Sequence, residues 1–186
     1  MSTLSLLLDF FDFGGKPAPQ LTVGLPIDLS KDIPVFPPFA LLLTIVASVL
    51  VGKLSGKRCA YLPAPLSALP VRLGILAIGL GVTKLLLDTA GGTLKEVGSG
   101  TMFTPVGGLA TAGIYSVTRN PMYCGLLFGA LPTLSMVLNS AWPLVLAPLL
   151  WAYLQYVVIA SEEKLLTGAF GSAYAAYCET TPRWLI

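Results

Sequence analysis

Apolar residues gather in four long runs along this chain, separated by stretches rich in polar residues, proline or glycine. The first two runs cover residues 39–52 and 70–90, and the other two share the apolar stretch 121–160. Only the segment LNSAWP at 138–143 interrupts that stretch. At about 1.5 Å per residue, each run is close to one bilayer crossing of roughly 30 Å. The pattern predicts four spanning helices, the last two forming a tight hairpin with Asn139 in its turn.

The tail after residue 160 has a different pattern. Ser161 is typical of a helix N-cap, and Glu162 and Glu163 would then lie in the first turn, where the helix dipole favours acids. An apolar and aromatic stripe follows at helical spacing, formed by Leu166, Phe170, Tyr174 and Tyr177. The sequence therefore predicts an all-α fold: a polytopic membrane bundle of about four to five transmembrane helices with a C-terminal amphipathic helix at the surface.

Two stretches of the chain lie outside the predicted spans, one before the first span and one between the second and third. Residues 1–38 are rich in proline and glycine towards their end and predict an irregular N-terminal lead-in, so a single membrane domain is expected over 39–186. The N-terminus lacks the basic region of a signal peptide. Residues 91–120 are too polar and too rich in glycine to be buried in lipid, and predict a loop between the second and third spans.

Composition supports a membrane protein and excludes several functions. The chain has 186 residues, of which 55% are hydrophobic and 11% charged, with a mean hydropathy of +0.80. A net charge of +2 without a basic cluster gives no reason to expect nucleic-acid binding. The three cysteines are widely spaced and histidine is absent, so the sequence predicts neither a disulfide framework nor a metal site.

The predicted hairpin brings two polar clusters to one membrane face. One contains Tyr115, Arg119 and Asn120, and the other contains Glu162 and Glu163. Each residue alone has an ordinary structural explanation, such as a basic residue flanking a span or acids at a helix start. Charged groups beside membrane helices are costly unless they are solvated or functional. The combination therefore indicates a functional site.

Two motifs in this region carry a resemblance to a known family. GIYSVTRNPMYCG at 113–125 resembles the signature G-x-Y-x-x-x-R-H-P-x-Y of small integral-membrane methyltransferases, the isoprenylcysteine carboxyl methyltransferases and phospholipid N-methyltransferases. EEKLL at 162–166 and FGSAYAAY at 170–177, followed by Pro182 and Arg183, resemble the ending of that family. The likeness covers residues 103–184, including Phe103 and Pro105.

The resemblance implies an enzyme that binds S-adenosylmethionine and methylates a hydrophobic acceptor, either a lipid or a prenylated or thiol-bearing molecule. It implies catalytic roles for Arg119, Asn120 and Glu163. The implied cofactor contacts are Leu109, Tyr115, Asn120, Pro121, Met122, Tyr123, Glu162 and Glu163. It also implies a multi-pass integral-membrane protein whose motif face is cytosolic, with the bilayer and the acceptor as its partners and no metal.

The chain departs from the family pattern in two places. Asn120 stands where the signature has a histidine, and residues 154–161 lack the arginine that isoprenylcysteine enzymes carry shortly before the glutamate pair. The acceptor therefore stays open between a lipid amine, a thiol and a prenylated cysteine carboxylate. Two other functions are also considered: a sterol-reductase-like enzyme using a nicotinamide cofactor, and a non-catalytic relative. Against a reductase, no acid follows Gly125 as that class requires.

The basic residues give a conflicting indication of orientation. Lys53, Lys57, Arg58 and Arg72 lie between the first two spans without an acidic residue, a bias typical of cytosolic loops. Four spans would place this loop opposite the motif face, which the resemblance puts in the cytosol. The organelle is not indicated by the sequence.

Overall fold

The computed structural model describes residues 33–57, 59–99 and 107–185. These residues form four long helices, which are α1 (Pro37–Leu54), α2 (Leu69–Glu96), α3 (Pro121–Leu138) and α4 (Trp142–Thr180). All four are long and apolar enough to cross a membrane. Among the described residues there is no β-strand. The predicted all-α membrane bundle is confirmed.

Helix α2 ends later than the sequence pattern predicts. The polar stretch from residue 91 was expected to be a loop, yet the helix continues to Glu96. Ala90 and Gly91 are buried, and the Thr93 hydroxyl donates to the Thr89 carbonyl oxygen at 3.2 Å. Packing therefore carries the helix through a pair of glycines that helix propensity alone disfavours.

Helix α4 is one long element rather than two. The predicted N-cap at Ser161 is wrong, because a π-helical segment, Leu154–Val158, joins the preceding helix to Ile159–Thr180. Val158 and Ile159, just before the expected break, are completely buried, so packing holds the helix where the chain was expected to leave it. Its 39 residues are more than the roughly 20 that one crossing requires. The helix is interrupted at Gly171, whose φ of 49° and ψ of −119° suit only glycine.

The described chain forms two compact units. The membrane unit contains Ile33–Leu86 and Tyr123–Ile159, and the motif unit contains Leu87–Met122 and Ala160–Ile186 in their described parts. The predicted lead-in lies outside the described residues up to Asp32, and Phe103 and Pro105 also lie outside them.

Charge is divided unevenly between the units. The sequence of the membrane unit contains no aspartate or glutamate. Its charged residues are Lys53, Lys57, Arg58, Arg72 and Lys84. Every acidic residue of the chain therefore lies outside the membrane unit.

In the membrane unit, α2 and α3 cross at close range. A Cβ atom on Gly79 would lie only 2.3 Å from the Thr133 side chain, so the two backbones approach where glycine leaves space. Small residues at crossings are typical of membrane helices. Large apolar side chains such as Ile78 and Leu149 are exposed by 70% and 69%, as expected of surfaces that face lipid.

The predicted turn of the helical hairpin is confirmed at Asn139. This residue ends α3 in the left-handed conformation, with φ of 47°. Its side-chain oxygen accepts hydrogen bonds from the backbone N–H groups of Tyr61 at 3.2 Å and Leu62 at 3.0 Å. The Trp142 indole donates to the Lys57 carbonyl at 2.8 Å. The connection between α1 and α2 is thus fixed to the hairpin turn.

Candidate functional site

Two arginines converge on one carboxylate in the motif unit. Arg119 Nη1 lies 2.9 Å from Glu163 Oε1. Arg183 Nε donates to the same oxygen at 2.9 Å, and Arg183 Nη2 contacts Glu163 Oε2. The side chains of Arg119 and Glu163 are exposed by only 14% and 19%. We call Arg119, Glu163 and Arg183 the ion cluster; it joins the two motifs that the sequence singled out.

Arg119 has further partners on α4. Its Nη1 donates to the Tyr174 hydroxyl at 3.3 Å and also contacts the Cys178 sulfur. Although burial alone would lower it, the pKa of Arg119 is raised, because the charges of Glu163 and Tyr174 favour the protonated guanidinium. The Nε of Arg119 is buried and has no hydrogen-bond partner among the described residues. Arg119 is therefore a permanent cation with one unused donor.

Asn120 is bound to the backbone of the C-terminal segment. Its Nδ2 donates to the Arg183 carbonyl oxygen at 2.9 Å. The Thr118 hydroxyl donates to the same oxygen at 3.0 Å and accepts from the Asn120 backbone N–H at 3.2 Å. Asn120 is 8% exposed. The Asn120 side-chain amide therefore binds the backbone of the segment that contains Arg183.

Tyr115 is buried beside the end of α4. Its carbonyl oxygen accepts a hydrogen bond from the Tyr177 hydroxyl at 2.6 Å. Burial, and then the negative charge of Glu162, raise the pKa of the Tyr115 phenol above its usual value. The phenol is therefore neutral at physiological pH, and the carboxylate of Glu162 acts electrostatically on Tyr115.

The loop before Leu109 is held by Ser99. The Ser99 hydroxyl accepts hydrogen bonds from the backbone N–H groups of Gly107 and Gly108 at 3.0 and 3.1 Å, and donates to the Gly108 carbonyl at 2.8 Å. A Cβ atom on Gly107 would lie 2.4 Å from the Gly98 carbonyl oxygen. A Cβ atom on Gly108 would lie 2.7 Å from the Val97 carbonyl oxygen. The two glycines are thus required by a close approach of two backbone segments.

Leu109 follows this loop into an apolar cluster. It packs with the buried side chains of Phe170, Tyr174 and Tyr177. The stripe that the sequence predicted on the tail helix is therefore confirmed as a packed face, and Leu109 is its partner from the other motif.

Not all of the implied site residues lie in the motif unit. Pro121 is buried, and Met122 is half-buried at the end of this unit, whereas Tyr123 is buried within the membrane unit. The structure brings together Arg119, Asn120, Glu163 and the backbone of Arg183.

Sequence reasoning gave no site role to two residues that contact the ion cluster, or to Ser99, which holds the loop before Leu109. Tyr174 and Cys178 lie one helical turn apart on α4 and both contact Arg119. Their spacing of four residues was a usable signal. Ser99 gave no such signal, because its partners follow in a separate segment. The described residues include no group of metal-ligating side chains.

Comparison with known proteins now places this site in a family. A family profile described as "Phospholipid methyltransferase" matches residues 71–173, which include the first motif, EEKLL of the second motif, and both Arg119 and Glu163. The chain belongs to the phospholipid methyltransferase family. The resemblance that the motifs carried is thereby confirmed at the level of the family.

Two curated relatives match part of this family member. "Protein-S-isoprenylcysteine O-methyltransferase A" of Arabidopsis thaliana is 34% identical over 73 residues, which are 39% of this chain and 36% of that protein. "Protein-S-isoprenylcysteine O-methyltransferase" of Schizosaccharomyces pombe is 34% identical over 74 residues, 40% of this chain and 31% of that protein. The matches thus span about a third of these relatives. No solved structure matches the chain.

Proposed function

We propose that this protein is a membrane methyltransferase that moves a methyl group from S-adenosylmethionine to a hydrophobic acceptor. The ion cluster carries the proposal, because Arg119 comes from one family motif and Glu163 from the other. Family membership and the methyltransferase names of two relatives support it. The four apolar helices agree with a multi-pass protein that meets its acceptor in the bilayer.

The residues of the motif unit have the donors and acceptors that S-adenosylmethionine needs. A carboxylate can bind an amino group or ribose hydroxyls, an arginine can bind a carboxylate, and aromatic faces favour a sulfonium. Glu162, Tyr115, Leu109, Pro121 and Met122 would hold the cofactor. Arg119 Nε, which lacks an acceptor among the described residues, fits an anionic group of a ligand. When bound, S-adenosylmethionine supplies an electrophilic methyl group.

The two neighbouring glutamates have different roles in this proposal. Both arginines of the ion cluster occupy the carboxylate of Glu163, so Glu163 fixes the arginines in place. Glu162 lies where its charge acts on Tyr115, and we assign direct cofactor contact to it. The sequence did not distinguish the two, because both acids are adjacent in the motif.

The chain's own groups favour an acceptor that arrives ionised. Histidine is absent, the raised pKa of Tyr115 makes its phenolate rare, and Glu163 is bound by two cations. None of these is a suitable general base near neutral pH. A carboxylate acceptor has no proton to remove. We therefore propose O-methylation of a carboxylate on a lipid-modified molecule, in agreement with the names of the two relatives.

The membrane unit offers a binding place for the apolar part of the acceptor. A groove of about 540 Å³ lies between α3 and α4. Apolar side chains such as Leu127, Leu131, Leu144 and Trp151 line it. We propose that it accepts a hydrocarbon chain.

We also propose that the motif unit faces the cytosol. The half-buried Cys178 of this unit contacts Arg119 and provides a chemical handle. In sealed, right-side-out cells, a membrane-impermeant maleimide should leave Cys178 unlabelled until the cells are permeabilised. Labelling of Cys178 in intact cells would reverse the proposed orientation.

Calorimetry separates the methyltransferase from its alternatives. Purified protein in detergent is titrated with S-adenosylhomocysteine and, separately, with NADPH. Binding of S-adenosylhomocysteine alone supports the proposal, binding of NADPH alone indicates a reductase, and binding of neither indicates a non-catalytic relative. Glu162→Gln should weaken S-adenosylhomocysteine binding about tenfold or more, the effect of losing one charge-assisted hydrogen bond. Glu179→Gln removes an exposed acid of the same helix and is the matched control.

The acceptor class is tested by transfer of a labelled methyl group. A prenylated cysteine with a free carboxylate should accept the label, and the same compound with its carboxylate already esterified should not. Transfer to phosphatidylethanolamine instead would show that the acceptor is a lipid amine.

A further inference from the structure

The C-terminal segment is held against the first motif by backbone and side-chain hydrogen bonds. The backbone N–H of Arg119 donates to the Pro182 carbonyl oxygen at 2.9 Å. The next carbonyl, that of Arg183, accepts from both the Thr118 hydroxyl at 3.0 Å and the Asn120 amide at 2.9 Å. We call Thr118, Asn120 and the Arg183 carbonyl the latch. A carbonyl oxygen has two lone pairs, and the latch uses both.

The side chain of Arg183 leads from the latch to the ion cluster. Its backbone is held by Thr118 and Asn120, while its guanidinium binds both oxygens of Glu163. A bidentate pair of this kind fixes the plane of the carboxylate as well as its position. Arg119, which lies between the two latch residues in sequence, reaches the same carboxylate. The latch therefore determines how the two arginines meet Glu163.

We propose that Asn120 is a positioning residue whose amide holds Arg183 in place, so that Arg183 and Arg119 together orient Glu163 in the methyl-transfer site. This inference rests on the function proposed above. Asn120 is buried, and its Nδ2 is committed to a backbone carbonyl. It acts through Arg183 and needs only a hydrogen-bond donor at this point. A base is not required.

This role explains how asparagine can stand where the signature has a histidine. Neutral imidazole carries one ring N–H, and protonated imidazole carries two. Either form can donate to the Arg183 carbonyl. Asparagine supplies the same donor without a titrating group, so the latch would work equally at pH 6 and pH 8. Leucine has a similar size but no donor, and would leave the carbonyl with one partner fewer.

The reactivity of Cys178 reports on the latch without any ligand. Cys178 is half-buried and contacts Arg119, so release of the C-terminal segment should expose its thiol. Cys124 is buried, and the exposed Cys59 is removed by Cys59→Gly, a change that suits its φ of 45°. In this background, the rate of maleimide labelling in detergent follows Cys178.

Four variants separate the latch from the ion cluster. Asn120→Leu should label Cys178 about tenfold faster and bind S-adenosylhomocysteine about tenfold more weakly, because one hydrogen bond is lost. Asn120→His should keep both values within about twofold of the parent. Arg183→Ala keeps the latch carbonyl, so labelling should stay slow while binding weakens. Thr180→Ala removes an exposed hydroxyl that bonds within α4, and should change neither value.

The pH dependence of methyl transfer by Asn120→His is a readout that a purely structural residue would not affect. The methyl-transfer rate of this variant should match that of the parent at pH 6 and at pH 8. A rate that rises with pH through the range of an imidazole would show that position 120 supplies a base, and would overturn the positioning role. Asn120→Leu with parental labelling and parental affinity would overturn the latch itself.

The failure of each proposal can be recognised separately. If the parent protein binds no S-adenosylhomocysteine, the proposed function is wrong, and the labelling rates of the variants still test the latch. If the parent binds it and Asn120→Leu behaves as the parent does, the function stands and the latch is wrong. Thermal unfolding of each variant identifies any global loss of structure. Thr118→Val, which removes the other donor, then serves in place of an unfolded Asn120→Leu.

Discussion

Glu163 Oε1 lies 2.9 Å from Arg119 Nη1, although the two residues belong to different motifs, Arg119 in the loop before α3 and Glu163 in α4. Arg183 completes this contact from the end of the chain. Two partly buried cations thus share one carboxylate. Removing it leaves both arginines without their main partner.

Glu163→Gln should therefore affect stability as well as ligand binding. We expect the free energy of unfolding to fall by about 2 kcal/mol, less than for a fully buried pair because the cluster is partly exposed. Thermal or denaturant unfolding in detergent measures this change. Glu179→Gln, at an exposed position on the same helix, should shift stability by less than about 0.5 kcal/mol. Equal stabilities for the two variants would contradict the ion cluster.

Stability should fall at alkaline pH because of Tyr115. Burial and the charge of Glu162 raise its pKa in the folded protein, whereas an unfolded tyrosine ionises near pH 10. Below pH 10 both states are protonated and the contribution is fully present. Above pH 10 the unfolded state loses a proton that the folded state keeps, so the free energy of unfolding decreases. In unfolding titrations, the free energy of unfolding of Tyr115→Phe should decrease less between pH 9 and pH 11 than that of the parent. Identical slopes in the two proteins would contradict the assignment of this pH dependence to Tyr115.

The loop at Gly107 and Gly108 should not tolerate a side chain. Gly108→Ala would place a Cβ atom 2.7 Å from the Val97 carbonyl oxygen, so a backbone segment has to move. The expected loss of stability is about 1–3 kcal/mol. Gly168→Ala is the matched control, because a Cβ atom there has nothing within 4 Å and α4 is helical at that position. That variant should be more stable than the parent by up to about 1 kcal/mol, and unfolding midpoints of both distinguish the outcomes.

Asn139 should contribute to the hairpin in two separable ways. Asn139→Ala loses the oxygen that accepts from Tyr61 and Leu62, and places alanine at a φ of 47°. Asn139→Gly loses the same oxygen but adopts that φ readily. We expect both to be destabilised, and alanine to be worse than glycine by about 1 kcal/mol. Parental stability in the glycine variant would mean that the side-chain oxygen contributes nothing.

The sequence was sufficient for features that depend on local pattern. Long apolar runs predicted the four helices, and LNSAWP predicted the turn at Asn139. The stripe containing Phe170 and Tyr174 followed from helical spacing. The ends of the helices were predicted less well. Ser161 is a good N-cap residue but lies inside α4, because the buried Val158 and Ile159 hold the chain in a helix just before it. Packing between distant segments overrode local preference there.

The site was predictable only as a set of residues. The motifs indicated that Arg119 and Glu163 would share a face, since a hairpin returns the chain to the side from which it came. They did not indicate that Arg183 would occupy the same carboxylate, or that the Asn120 amide would bind a backbone carbonyl. Those contacts depend on where the last residues of the chain lie, and no periodicity in the sequence encodes that position.

The absence of acidic residues from the membrane unit gives that part of the chain charge of a single sign. Lys53, Lys57 and Lys84 are positive there, and no carboxylate of the same unit offsets them. Among the described residues, carboxylates lie only in the motif unit. Salt or anionic lipid headgroups would therefore act on the membrane unit through positive charge alone, and on the motif unit through charges of both signs.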